Sequence, residues 1–174
     1  MNIVFIDAAS DSDDKKIIEE LKKLRESGED EEMRKRLTFQ DVDLNTALHF
    51  GARNGNWRIC KEIIEEAKRV NCQIDESRRI DLVHTLINCR NAKGFTPLIE
   101  CSFRGYQTVT DKDGAVENRH KIIKYLTEAG ANPDYCKQTS KMTALHWCAY
   151  NNDREAIKAL LKVDANPLCW SHND

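Results

Sequence analysis

No apolar run in this chain exceeds a few residues. The longest are of the kind Ile3 to Ile6, so no segment can supply the roughly 20 apolar positions of a membrane-crossing helix. The same opening stretch, Met1 to Asp7, has neither a basic start nor a long apolar core and is not expected to act as a secretory signal. An excess of one charge is missing as well. The 27 Lys and Arg residues face 29 Asp and Glu, a net charge of −2, which leaves no basic stripe for nucleic acid. Leu, Ile, Val and Phe together make about 22% of the 174 residues, little above the level at which a charged chain stays disordered. One domain is expected, and a slim, elongated one suits this composition better than a thick globule.

The signatures of several chemistries are also missing. Seven cysteines stand at 60, 72, 89, 101, 136, 148 and 169, an odd number without a C-x-x-C pair, and there is no Asn-x-Ser/Thr sequon. A reduced, cytoplasmic chain is expected, with most thiols serving as small buried apolar groups and at most one left at the surface. There is no G-x-x-x-x-G-K, G-x-G-x-x-G or G-x-S-x-G, so neither a phosphate loop nor a serine nucleophile has an anchor. Asp111-Lys112-Asp113-Gly114 lacks both the leading acid and the closing glutamate of a calcium loop and reads as a turn. His49, Cys60, His146 and Cys148 show no paired zinc spacing. No nucleophile, base and electrophile can be assembled, so no catalysis, cofactor, metal or small-molecule substrate is expected.

What is present is repetition. Thr46-Ala47-Leu48-His49-Phe50-Gly51-Ala52-Arg53-Asn54-Gly55 aligns with Thr96-Pro97-Leu98-Ile99-Glu100-Cys101-Ser102-Phe103-Arg104-Gly105 and with Thr143-Ala144-Leu145-His146-Trp147-Cys148-Ala149-Tyr150-Asn151-Asn152. Each is followed by a helical pattern: Ile59/Ile63/Ile64, Ile122/Ile123/Leu126 and Ile157/Leu160/Leu161. Threonine can N-cap the first helix, proline suits its first turn, the leucines point inward, and the small residues that follow let neighbours approach. Gly55, Gly105 and, less easily, Asn152 close that helix, as Gly130 closes the second helix of the middle unit. Over residues 40–174 the pattern resembles the ankyrin repeat, a turn followed by two antiparallel helices and a loop. The resemblance implies an all-α solenoid of stacked helix pairs, with His49 and His146 hydrogen-bonding between neighbouring turns.

The chain departs from that family's regular spacing of about 33 residues. Thr46 to Thr96 is 50 residues and Thr96 to Thr143 is 47. The first excess predicts a second helix running on toward Val70 and an added helical turn or two within Arg79 to Ile87. The second predicts an insertion at 106–118, with Tyr106 to Thr110 and Ala115 to Glu117 as the arms of a small hairpin or ordered loop. The family's turn glycine survives only as Gly94; Leu44 and Lys141 stand in the other two units. Repeats are thus placed at about 41–90, 91–137 and 138–170 of a repeat domain spanning 41–174. Residues 1–40 form an N-terminal segment. In it Asp13 caps a helix with Ile17, Ile18, Leu21 and Leu24 on one face and Gly28 as its stop, a polar-backed lid for the stack. The charge run Glu29 to Arg36 reads as a solvated short helix. A further entry threonine would fall just past Asp174, which reads as a fragment of a longer protein or a short terminal cap.

The resemblance implies a non-catalytic module or scaffold that binds another protein through its concave face and turn tips. Two other readings stand beside it: a regulatory or targeting segment of a larger enzyme or channel, and a structural subunit of a cytoskeletal assembly. The first helix of such a repeat turns the residue after the histidine position, and the one three further on, toward the groove. Here these are Phe50 and Arg53, Glu100 and Phe103, and Trp147 and Tyr150, with Arg104 beside them and Phe95 at the turn tip. Exposed aromatics and arginine dominate interface energy once desolvated, and this chain is only 7% aromatic.

Overall fold

The computed structural model describes residues 2–72, 81–103, 115–136 and 140–169. These form ten helices and no strand; Cys136 and Thr143 make an isolated bridge. Three short inner helices, α4 (Ala47–Arg53), α7 (Pro97–Phe103) and α9 (Ala144–Tyr150), pack side by side in that order. Three outer helices, α5 (Trp57–Cys72), α8 (Ala115–Glu128) and α10 (Arg154–Leu161), form the second row. The chain is an all-α solenoid of stacked helix pairs. Leu48, Leu98 and Leu145 are buried between the rows with Ile59, Ile63, Ile64, Ile122, Ile123, Leu126 and Leu160.

Local chemistry sets the helix ends. The Thr46 N–H donates to His49 Nδ1 at 3.2 Å, and the Thr143 N–H to His146 Nδ1 at 3.4 Å, so each histidine closes a box at its own helix start. In α7, Thr96 Oγ1 accepts from the Ile99 N–H at 3.3 Å. The inner helices stop at residues with left-handed backbone, Gly55 (φ +71°) and Asn152 (φ +55°). The next residues, Asn56 and Asp153, return their N–H to the carbonyls of Gly51 and Cys148 at 2.9 Å. Their side chains then cap the outer helices, accepting from the Ile59 N–H at 3.3 Å and the Ala156 N–H at 3.0 Å. Gly51 cannot be larger: a Cβ there would lie 3.0 Å from Ile59 Cγ2 and 3.1 Å from Cys60 Sγ. The turn ahead of each inner helix keeps one conformation whether or not it holds glycine, with φ +59° at Leu44, +75° at Gly94 and +55° at Lys141. Asp41 and Asn91 organise the first two of these turns by accepting two backbone N–H groups each.

The N-terminal segment holds more than the expected single lid. Helix α1 (Asn2–Ser10) packs on α4, and α2 (Asp14–Ser27) packs on α5, so the two continue both rows. The connection repeats the same chemistry: Ser12 has φ +60°, Asp13 N–H returns to the Ala8 carbonyl at 2.9 Å, and Asp13 caps α2 through the Lys16 N–H. Phe5, Ile6, Ala9, Ile17 and Leu21 take the places that Leu48, His49, Ala52, Cys60 and Ile64 hold in the next layer, and all are buried. The described residues therefore form four helix-pair layers, one more than the threonine entries mark.

Two further elements differ from their sequence reading. Glu29 to Arg36 is helical, as α3 (Asp30–Thr38), but it is not merely solvated: Met33, Arg36 and Leu37 are buried. Arg36 is held by Glu20 and by Glu32 at 3.2 Å. Beside it, Glu66 of α5 pairs with Arg25 of α2 and with Arg69 at 2.8 Å, and Arg69 reaches Asp30 at 2.7 Å. The extra helical turns of the first excess form α6 (Leu82–Asn88), capped by Asp81 and packed on α5. The insertion at 106–118 lies mostly outside the described residues. Its expected return arm, Ala115 to Glu117, is the first turn of α8 instead of a strand, in keeping with the helix propensity of Ala and Glu.

Candidate protein-binding face

Inner helices α4, α7 and α9 carry the residues expected to face the groove. Arg104 lies outside the described residues; the others divide into two groups with different surroundings. Toward α9 they form a continuous aromatic cluster. Phe103 and Trp147 meet edge to face with centroids 4.6 Å apart, Phe95 lies 5.2 Å from Phe103, and Tyr150 lies 6.0 Å from Trp147 at 82°. Phe103 and Trp147 are half-buried, and Tyr150 is 78% exposed. The indole N–H of Trp147 is enclosed without a hydrogen-bond partner among the described residues.

Phe95 does not extend the surface from the turn tip. Its ring is buried beneath Phe103 and Trp147, and its carbonyl accepts from His49, so it is the floor of the cluster. Glu100 is also corrected, because its side chain is only 2% exposed. It accepts from Arg53 Nε at 3.1 Å and Nη2 at 2.8 Å, and from Asn91 Nδ2 at 2.7 Å. Asn45 Oδ1 in turn accepts from Arg53 Nη2 and Asn91 Nδ2, both at 2.9 Å. A buried carboxylate survives only when its lone pairs are filled, and here two repeats fill them together. Arg53 is thereby committed to the network, with its guanidinium 5.1 Å from the Phe50 ring. Burial alone would raise the Glu100 carboxyl, but Arg53 and Asn91 outweigh it and hold it below the ordinary carboxylate value. Asn45 and Asn91 were not among the expected residues. Asn91 had a signal, since it and Asp41 stand equally far before their threonines; Asn45 had none.

His49 joins the same two layers from beneath. With Nδ1 accepting from the Thr46 N–H, its proton sits on Nε2, which donates to the Phe95 carbonyl at 3.0 Å. Burial drives its pKa down to about 4. The bond between neighbouring turns implied for the two histidines is thus made by His49, whereas among the described residues His146 bonds only within its own turn. Burial also lifts the thiols of Cys101 to about 12 and of Cys89 and Cys148 to about 11, far from the reactive range. Among the described residues, no three His, Cys, Asp or Glu side chains gather as metal ligands would, and no helix is long and apolar enough to cross a membrane.

Comparison with known proteins agrees with this architecture. A model of the single ankyrin repeat matches residues 43–75, and a model of ankyrin repeats in many copies matches residues 112–161. The chain is similar to inversin from Homo sapiens, with 27% identity over 143 residues that cover 76% of this chain and 11% of that protein. Inversin from Canis lupus familiaris is 26% identical over the same length and share of this chain, and inversin from Mus musculus 27%. The chain spans about a tenth of the length of these curated relatives. With repeated Thr-capped helix pairs, a shared left-handed loop and two matching repeat models, the chain is an ankyrin-repeat protein.

Proposed function

We propose that this protein–protein interaction module binds a segment of another protein across α7 and α9, through Phe103, Trp147 and Tyr150, with Phe50 and Arg53 at the margin. One observation carries the reading: a mostly exposed Tyr150 tops an edge-to-face aromatic stack that spans two adjacent inner helices. Rings held this way lose little side-chain entropy on binding, which is why such residues concentrate binding energy. The proposed partner is a protein and not a nucleic acid, in line with a net charge of −2 and an arginine already committed to Glu100. The module itself performs no catalysis in this reading and works in the cytoplasm.

The test pairs binding with melting. A partner is isolated by affinity capture, then Tyr150→Ala and Phe103→Ala are compared with the natural chain. The expected result for Tyr150→Ala is a loss of about 2 kcal/mol in binding, some 30-fold, with melting unchanged. Natural affinity in both folded variants would remove this surface from consideration.

A further inference from the structure

The outer row carries a trough of its own. Helices α8 and α10 pack side by side there, and between them lies an open groove of about 510 Å³, room enough for a short ligand segment. Lys121 and Lys124 line it from α8, and Lys158 and Lys162 from α10, with Glu128 and Glu155 as its carboxylates. Four lysines against two glutamates leave an excess of positive charge, in a chain whose net charge is −2. Both glutamates are occupied within their own helices, Glu128 by Lys124 at 3.8 Å and Glu155 by Lys158 at 2.6 Å. Such exposed pairs are weak and exchange readily for another partner. Lys162 makes no ion pair among the described residues. All four lysines are exposed, whereas Ala159 and Val163, which also line the groove, are half-buried.

We infer that this groove docks an extended, acidic segment of another protein, on the outer row and not on the inner row that holds the aromatic cluster. The length fits. From His120, which lines one end, to Glu128, α8 rises about 12 Å, and about four extended residues span that distance. The lysines stand in pairs one helical turn apart, about 5–6 Å along each axis. Their flexible stems can therefore meet carboxylates that recur on one side of an extended chain about every 7 Å. A compact polyphosphate suits the groove less well. It would press its charge on Glu128 or Glu155 along with the lysines, and no arginine lines the groove to clamp it. An extended chain places backbone N–H groups between its carboxylates, and these can face the two glutamates. Its side-chain methylenes have Ala159 and Val163 to rest on. The inference does not rest on the aromatic surface, and its test separates the two.

The test uses the full chain and a fluorescein-labelled peptide of four glutamates between two glycines, with binding followed by anisotropy at low ionic strength. The expected result is saturable binding that weakens steeply as salt is added. Lys124→Gln combined with Lys162→Gln should lose about tenfold in affinity with melting unchanged, since each exposed pair is worth up to about fivefold. Lys22→Gln combined with Lys23→Gln removes comparably exposed lysines from α2 and should bind like the natural chain. Tyr150→Ala, on the inner row, should also bind normally. NMR of the natural chain gives a check without substitutions: adding the peptide should shift amides of α8 and α10. No binding at low salt, the same loss in both lysine variants, a loss in Tyr150→Ala, or shifts centred on α7 and α9 would overturn the inference. Displacement of the peptide by inorganic pyrophosphate at equal concentration would assign the groove to phosphates. Tighter binding of phosphatidylserine vesicles or of a single-stranded oligonucleotide would assign it to a membrane or a nucleic acid. Either result would likewise overturn the acidic-segment inference.

Discussion

Acidification from pH 6.5 toward pH 4 should loosen the contact between the first two threonine-marked layers. His49 is buried as the neutral imidazole, with the Thr46 N–H pointing at Nδ1 and Glu100, Arg53 and Asp41 as its charged neighbours. A second proton would place N–H against N–H. Its pKa is about 4 in the folded chain, against 6.5 for a solvated histidine, so between these values the unfolded chain binds more protons than the native one. Stability conferred by the neutral imidazole is therefore complete above pH 6.5 and is lost as the pH falls toward 4. At 1.36 kcal/mol per unit the full loss is about 3 kcal/mol, and about 2 kcal/mol of it falls between pH 7 and pH 5. Urea unfolding followed by circular dichroism at pH 7, 6 and 5 measures the slope, and NMR of the His49 Cε1–H gives the native pKa directly. The comparison variant is His49→Ile, because Ile99 and Ile6 already occupy the same slot in other layers. It should cost about 1–3 kcal/mol at pH 7, since the Thr46 N–H and Phe95 carbonyl lose their partner, and should have a much flatter slope. A native His49 titrating near 6.5, or an unchanged slope in His49→Ile, would refute the argument.

Two other expectations follow from the same geometry. Glu100→Gln should destabilise the chain by about 1–3 kcal/mol at pH 7, because Arg53 and Asn91 keep an acceptor but lose its charge. Since the Glu100 carboxyl is held below its ordinary value, the difference should be full above about pH 4.5 and shrink below it, as paired urea titrations would show. Leu44→Gly should stabilise by about 1 kcal/mol, because Leu44 sits half-exposed at φ +59° where a Cβ is strained; a lower melting temperature would show that its side chain contributes more than the strain costs.

The sequence reveals the stack where entry threonine, inward leucine and closing loop coincide, and it hides the stack where one of these is replaced. Layer one is hidden because Ile3 stands at the threonine position and Ile6 at the histidine position, so only the apolar spacing survives. Its loop gave no sign either, since Ser12 adopts the left-handed backbone that Gly55 takes elsewhere. The turns at Leu44 and Lys141 keep the family's geometry without its glycine, so the residue type there was a poor guide. The nearness of the aromatic residues to one another was legible, but the environment of their neighbours was not. Trp147, Phe103 and Tyr150 come together as the spacing implies. Glu100 is buried because Asn45 and Asn91, both from turns, close over it with Arg53, and no periodicity within α7 encodes partners that arrive from other elements.

The two ends of the stack are secured differently, and this sets where native-state opening begins. At one end Arg25, Glu66, Arg69, Asp30, Arg36, Glu20 and Glu32 cross-link α2, α3 and α5 in two charge clusters. At the other, among the described residues, α9 packs on α7 and α10 on α8, with no charge cluster of this kind across them. In a nearest-neighbour chain of layers, the unit with a single interface unfolds at the lowest free energy, so amide exchange should be fastest in α9–α10 and slow toward α4–α5. Trp147 and Tyr150 ride on that unit, while Phe103 stays behind on α7. The aromatic cluster thus exists only while the last layer is closed. A ligand gripping both halves would slow exchange in α10, on the far side of the layer, without touching it.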